Sequence, residues 1–281
     1  MPIMMSFGLL AAFKLVSVDS SFVNVPVIVS PGLGCIARVK YEADGYTLRL
    51  MTRDSSWQLR LQGRKPNLDF ALSDRGQLAV MGGGEVQVFE PSGRSWRLPW
   101  PGKVVWIGPY LAAVSENGIT LYTSGFKPVG DYEMGLPAAG GQGILAGIRG
   151  QELVIYGKSH TSVHLGPEPV RFVAVGDSKV FVAFPEKIAC FDLRAKRLWD
   201  RDLGFSTSAL SFGDGLVWVA GSRPERLEAS LVALNPENGS TVESTVYKGE
   251  TEPAFVSRIS CQDGVLKVFV SKVLYTYEVR K

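Results

Sequence analysis

The chain has 281 residues, 46% of them apolar and 10% aromatic, and a formal net charge of only +3. This composition can fill a large core and argues against disorder, and so small a charge does not require nucleic acid as a partner. No apolar run approaches the ~20 residues of a membrane-spanning helix, so we expect no membrane partner.

Seven segments share one local pattern, an apolar–any–apolar triplet followed by a large residue. These large residues are Met51, Phe89, Tyr122, Tyr156, Phe191, Leu234 and Tyr277. Their spacing of 33 to 43 residues is typical of four-stranded propeller blades. Polar turns such as Asp74-Arg-Gly76 supply the positive φ that a hairpin needs. A β-sandwich also has regularly spaced strands and turns, but it does not explain seven similar units that fill the chain.

The sequence therefore predicts an all-β, seven-bladed β-propeller with four-stranded antiparallel blades in one domain, residues 1–281. The predicted blades span 23–62, 66–101, 103–134, 136–165, 169–203, 206–248 and 253–281. Residues 1–19 contain a strand, Leu9 to Val18, without a neighbour nearby in sequence, and the last unit has only three strands. We expect this strand to close the last blade and remove its exposed edge. No Lys or Arg precedes the apolar stretch Phe7–Phe13, so we expect no cleaved signal peptide.

The whole chain, loosely in most of its units, resembles the quinoprotein-like and WD40-like repeats of the β-propeller superfamily. The residues that carry this resemblance are Lys179–Ala183, Ile188–Asp192, Leu198-Trp199 and Leu231–Gly239. They follow the family order of a strand, a strand ending in Asp or Asn, a turn with Gly, and a strand ending in Trp. The chain lacks the vicinal cysteines of the quinone-dependent enzymes, and its one Trp-Asp pair, at Trp199, falls in a fourth strand. The resemblance implies a fold and no activity.

Histidines, cysteines and glycine-rich stretches are the candidates for chemistry. His160 and His164 on a strand would lie about 13 Å apart, too far to hold one metal ion. Cys35, Cys190 and Cys261 are far apart in sequence, and we expect buried thiols in a reducing compartment.

The glycine-rich stretches Gly82–Gly84 and Gly140–Gly143 lack the Lys and Ser/Thr of a phosphate-binding loop, which favours tight turns. We therefore expect no cofactor, no metal and no catalytic residues. An enzyme with a site at the central channel remains the alternative.

Charged residues suggest two partner-binding regions. Basic residues cluster around third-to-fourth-strand turns and could form a positive rim with neighbouring tryptophans: Arg94, Arg97, Arg194, Lys196 and Arg197. Such a rim suits a protein interface or a nucleic-acid backbone, and a solvated strand edge is the plain alternative. The connection Gly221–Glu228 reads as a long charged loop, and we predict that Arg223, Glu225 and Arg226 contact a partner. A solvated insertion is the alternative there.

The sequence thus favours a cytoplasmic, non-catalytic scaffold that binds another protein or a complex subunit. A small-molecule enzyme and a nucleic-acid-associated protein are the two alternatives.

Overall fold

The computed structural model describes residues 3–6, 13–22, 26–52, 54–62, 68–82, 84–100, 102–123 and 125–279. Within these ranges strands alternate with short turns, and the one helical segment is a single 3-10 turn, Pro224–Arg226. No helix in these ranges has the length and apolar character needed to cross a bilayer.

Two strands precede the blades, β1 (Ile3–Ser6) and β2 (Phe13–Asp19). Blade one consists of β3 (Val27–Val29), β4 (Cys35–Glu42), β5 (Gly45–Thr52) and β6 (Ser56–Gln62). Blade two consists of β7 (Asp69–Leu72), β8 (Leu78–Gly82), β9 (Glu85–Phe89) and β10 (Ser95–Leu98). Blade three consists of β11 (Val104–Ile107), β12 (Tyr110–Val114), β13 (Ile119–Tyr122) and β14 (Pro128–Tyr132).

The remaining blades repeat the same antiparallel order. Blade four consists of β15 (Gly135–Gly141), β16 (Ile144–Arg149), β17 (Glu152–Tyr156) and β18 (His160–His164). Blade five consists of β19 (Phe172–Gly176), β20 (Lys179–Ala183), β21 (Lys187–Asp192) and β22 (Arg197–Asp202). Blade six consists of β23 (Ser206–Gly213), β24 (Leu216–Arg223), β25 (Glu228–Leu234) and β26 (Thr241–Lys248). Blade seven has β27 (Val256–Gln262), β28 (Val265–Val270) and β29 (Val273–Val279).

These sheets make the fold an all-β, seven-bladed propeller with four-stranded blades, as the sequence predicts. The seven large residues that define the sequence repeat all lie in third strands, namely β5, β9, β13, β17, β21, β25 and β29. The repeat in the sequence is therefore a repeat of one strand position.

The N-terminal segment closes blade seven. β2 pairs with β29 from Phe13↔Val279 to Asp19↔Leu274 and supplies the missing fourth strand, which confirms the predicted closure. In addition β1 pairs with β26 as a fifth strand of blade six, a pairing that the sequence does not predict. Of the predicted strand Leu9 to Val18, residues 9–12 lie outside the described ranges.

The chain divides into two compact units. The larger unit contains Met1–Ser20 and Leu136–Lys281, and therefore β1, β2 and blades four to seven. The smaller unit contains Ser21–Gly135 and blades one to three. That the whole chain is one domain stays a prediction.

In each unit the core lies between consecutive blades. In β20 of the larger unit, Val180 and Val182 pack with residues of blade four, whereas Phe181 packs with residues of blade six. In β8 of the smaller unit, Leu78 packs with blade one and Ala79 with blade three. Middle strands are buried on both faces, which explains their nearly continuous apolar sequences.

Candidate partner-binding surfaces

The connection between the second and third strands of blade six is a longer hairpin than the sequence predicts. β24 and β25 stay paired as far as Arg223 and Glu228, so the predicted loop shrinks to residues 224–227. We call these four residues the blade-six tip. A 3-10 turn and Leu227, with a left-handed φ of 55°, close the hairpin.

Hydrogen bonds from neighbouring segments hold the backbone of the blade-six tip. The carbonyl of Leu227 accepts hydrogen bonds from the backbone N–H of Gly249 at 2.8 Å and of Ala254 at 3.3 Å. At the end of β24, Arg223 Nε donates to the carbonyl of Gly204 at 2.8 Å. The Arg223 side chain therefore has a structural contact, in addition to its predicted contact with a partner.

The other two predicted contact residues, Glu225 and Arg226, are exposed at this tip and make no ion pair within the described chain. Phe255 follows Ala254 directly and is 50% exposed. Its backbone is fixed to Ser271, whose Oγ accepts from the Phe255 N–H at 3.1 Å. Exposed aromatic rings and arginines are among the residues that dominate interface energies.

Phe255 is not among the contact residues predicted from the sequence. Ala254 and Phe255 precede an apolar alternation and read as the beginning of the first strand of blade seven, whereas β27 begins at Val256. Exposure of Phe255 depends on what the neighbouring segments cover, and no local pattern encodes that.

The basic residues of blade five lie on and after the turn between β21 and β22. The Asp192 carboxylate accepts hydrogen bonds from the backbone N–H of Arg194 at 2.9 Å and of Lys196 at 2.8 Å, which fixes the turn. The side chains of Arg194 and Lys196 are exposed. Arg197 differs, because its guanidinium lies 3.4 Å from the Asp200 carboxylate and over the Phe191 ring.

The basic residues of blade two belong to the smaller unit. Arg94 closes the turn between β9 and β10, where its carbonyl accepts a hydrogen bond from the Glu90 N–H at 2.9 Å. Arg97 lies in β10. Both side chains are exposed, and neither has an ion-pair partner in the part of the chain that the structure describes.

Within the larger unit the two predicted regions do not come together. Lys179, at the beginning of β20, forms a 2.7 Å ion pair with Glu237 in the turn between β25 and β26. Neighbouring blades therefore have their first-to-second and third-to-fourth turns at the same end. The blade-six tip joins second to third strands and lies at the opposite end from Arg194 and Lys196.

The tryptophans near the basic residues are packing groups. Trp199 Nε1 donates to the carbonyl of Pro236 in the next blade at 2.9 Å, and Gly239 lies directly under its ring. Trp96 makes an edge-to-face contact of 5.9 Å with Phe126 in the next blade. These half-buried rings are engaged between blades, so they do not form an open stacking platform for bases.

The three thiols are buried in surroundings that disfavour their ionised form. Cys35, Cys190 and Cys261 are buried and free. Burial raises the pKa of Cys35 to about 11 and that of Cys190 to about 12, so both remain protonated near neutrality and are poor nucleophiles.

The two histidines lie on the outer strand of blade four. His160 stacks on Tyr156 with ring centroids 4.6 Å apart, and His164 is exposed at the other end of β18. Among the described residues no three His, Cys, Asp or Glu side chains are grouped so that they could hold a metal ion.

Comparison with known proteins finds similarity in fold only. The chain matches no protein-family model and no curated protein. It is similar to a chain of a mitotic checkpoint complex structure, with a TM-score of 0.62 and 14% identity over 99% of this chain and 91% of that chain. It is also similar to BBS1N solved in complex with ARL6DN, with a TM-score of 0.60 and 14% identity over 96% of this chain and 98% of that chain.

A third similar structure is a catalytically inactive virginiamycin B lyase from Staphylococcus aureus with quinupristin. Its TM-score is 0.62, with 14% identity over 95% of this chain and 100% of that chain. The predicted resemblance to the WD40-like propeller class is thereby confirmed at the level of fold. Identities this low carry no activity across.

Proposed function

We propose that the protein is a non-catalytic scaffold that binds another protein, or a subunit of a complex, through exposed loops of its blades. The observation that carries this proposal is the blade-six tip, where Glu225 and Arg226 are exposed on a hydrogen-bonded backbone. A loop that is already ordered loses little conformational entropy on binding, which favours affinity. Arg223 and Phe255 flank the tip and extend the proposed surface.

Two of the similar propellers support a protein partner. One belongs to a mitotic checkpoint complex and the other was solved with ARL6DN, so propellers of this shape do bind proteins. The proposed setting for this chain is the cytoplasm, where three free cysteines stay reduced.

The enzymatic alternative draws on the similarity to the lyase. The inner strands of the larger unit, β15, β19, β23 and β27, contain no Asp, Glu or His that could act as general acid or base. This favours the scaffold over an enzyme.

The test combines purification with charge reversal. Cross-linking and purification from the native source identify the protein bound to the wild-type chain, and titration then measures its Kd. We expect the double variant Glu225→Lys/Arg226→Glu to weaken binding at least about tenfold, because opposite charges would face the partner's groups. Lys158→Glu, in an exposed turn of blade four, is the matched control and should bind like the wild type. Unchanged affinity of the double variant would overturn the proposed surface.

Nucleic-acid binding is the second candidate function, because Arg94, Arg97, Arg194 and Lys196 are exposed without ion pairs in the described chain. It would appear as salt-dependent binding of single-stranded nucleic acid that Arg94→Ala and Arg194→Ala weaken. No binding at low salt would dispose of it.

A further inference from the structure

One charged residue lies on the inner strands of the larger unit. The sequences of β15, β19, β23 and β27 are otherwise apolar, small or uncharged, and the exception is Arg258 in β27. A single cation on otherwise neutral inner strands lacks the mixed charges of an ordinary solvated strand. It therefore requires its own physical explanation.

Arg258 has no acidic partner among the described residues. Its one hydrogen bond there runs from a terminal guanidinium nitrogen to the carbonyl of Ser257 at 3.1 Å. By contrast, Arg149 and Arg197 of the same unit both contact carboxylates. A guanidinium has five N–H donors, so most of those of Arg258 remain available.

Arg258 is reached by solvent and is also partly surrounded by protein. The side chain is exposed to solvent, yet the surrounding protein lowers its pKa by desolvation. Solvent access together with partial desolvation is expected of a group that lines a concave surface. An opposite charge bound there would be screened less than at an open surface.

The local backbone directs this side chain. The pairing of β27 with β28 shifts between Val256 and Arg258, so Ser257 is an inserted, unpaired residue. Such bulges change the direction of the side chains that follow, and they are common beside binding sites. The inner strand of blade six has a similar shift at Ser208, whose Oγ donates to the carbonyl of Val256 at 2.6 Å.

Two further polar groups share the face of Arg258. Ser260 lies two residues along β27 with no further shift in register, so its side chain is on the same side. Its hydroxyl makes no hydrogen bond with the described residues and is half-buried. Lys267 of β28 lies directly opposite Ser260 and adds a second cation to this face.

We propose that Arg258, Ser260 and Lys267 form an oxyanion-binding site on blade seven, for a ligand that carries a carboxylate or a phosphate group. The guanidinium can bind either group through two parallel hydrogen bonds. The hydroxyl of Ser260 supplies another donor, and the ammonium of Lys267 supplies charge.

The test titrates the whole chain with sodium phosphate and, separately, with sodium acetate, keeping ionic strength constant with sodium chloride. We expect at least one of the two anions to raise the melting temperature of the wild type and to bind saturably by calorimetry. Arg258→Gln should lose at least tenfold in that affinity. The charge-matched control Lys158→Gln, in an exposed turn of blade four, should keep it.

The melting temperature in chloride alone separates a binding role from a structural one. If Arg258 serves to bind an anion and does not stabilise the fold itself, Arg258→Gln should melt at the same or a higher temperature than the wild type. A lower melting temperature with an unchanged response to anions would show a structural role and overturn the proposal. So would stabilisation by neither anion beyond that by chloride. A response to phosphate alone or to acetate alone identifies which group the ligand carries.

Discussion

At the scale of single residues, the buried tyrosines between blades six and seven show how packing changes chemistry. The hydroxyls of Tyr247 in β26 and Tyr277 in β29 lie 2.7 Å apart, and Tyr275 packs against the Tyr247 ring. Burial raises the pKa of Tyr247 and of Tyr277 well above the ordinary value near 10. In Tyr247 the neighbouring hydroxyl of Tyr277 adds to this effect.

These tyrosines should make the protein sensitive to alkali. Above about pH 10 the tyrosines of the unfolded chain ionise, whereas buried Tyr247 and Tyr277 keep their protons. The folded state then binds more protons than the unfolded state, so the free energy of unfolding falls as pH rises. We expect the melting temperature of the wild type to fall more steeply above about pH 10 than that of Tyr247→Phe/Tyr277→Phe.

Removing both hydroxyls together should lower the free energy of unfolding only a little at neutral pH. The two hydroxyls bond to each other, so the double substitution removes donor and acceptor together. Circular dichroism melts across the alkaline range measure both effects. The raised pKa values of the buried thiols Cys35 and Cys190 also lower the free energy of unfolding in alkali. This effect is the same in the wild type and the variant. Parallel melting curves for the two proteins would show that the tyrosines do not contribute.

At the scale of elements, turns connect one blade to the next. Asp74, between β7 and β8, accepts three hydrogen bonds through one carboxylate oxygen, from Ser30 Oγ at 2.6 Å and from the backbone N–H of Gly32 and Gly34. These donors lie between β3 and β4 of blade one. A Cβ at Gly32 or Gly34 would clash with Asp74, so glycine is needed for the close approach.

Asp74→Ala should therefore weaken the smaller unit. Loss of the acceptor leaves the Ser30 hydroxyl and two N–H groups without their partner, at a cost of about 1–3 kcal/mol in free energy of unfolding. Asp54→Ala is the matched control, since Asp54 lies in an exposed turn of the same unit without a hydrogen bond to its carboxylate in the described chain. It should change stability by less than about 0.5 kcal/mol. Urea unfolding measures the free energy of unfolding of both variants. Equal losses in the two would show that the hydrogen bonds of Asp74 to blade one do not stabilise the unit.

The same turns show what the sequence does and does not encode. Asp74-Arg-Gly76 predicts a tight turn from its own residue types, and third strands such as β21 are predictable because their pattern repeats. That Asp74 reaches into blade one depends on contacts between residues 40 to 44 positions apart in the chain, which no local pattern contains. The extended hairpin of blade six escaped prediction similarly, since the polar residues Ser222, Arg223 and Glu228 read as loop but pair as strand.

At the scale of the whole molecule, counting strands was enough to predict that the N-terminal segment completes blade seven. The count could not predict β1, because a fifth strand on blade six satisfies no deficit in the repeat. Its pairing uses the open edge of β26, an opportunity that exists only once the blade has formed.

Truncation separates the contributions of the two N-terminal strands. Deleting residues 1–8 removes β1 and leaves blade six with the four strands of an ordinary blade, so we expect a small loss of stability.

Deleting residues 1–19 also removes β2, exposes the edge of β29 and takes away Leu15, which packs against the core between blades six and seven. At about 1 kcal/mol for each ladder hydrogen bond, the longer deletion should cost roughly 4–6 kcal/mol. Calorimetry should show a small downward shift for the shorter deletion and a much lower and broader transition for the longer one, because an open blade edge uncouples blade seven from the rest of its unit. A longer deletion that melts at the wild-type temperature with undiminished cooperativity would mean that β2 does not hold blade seven.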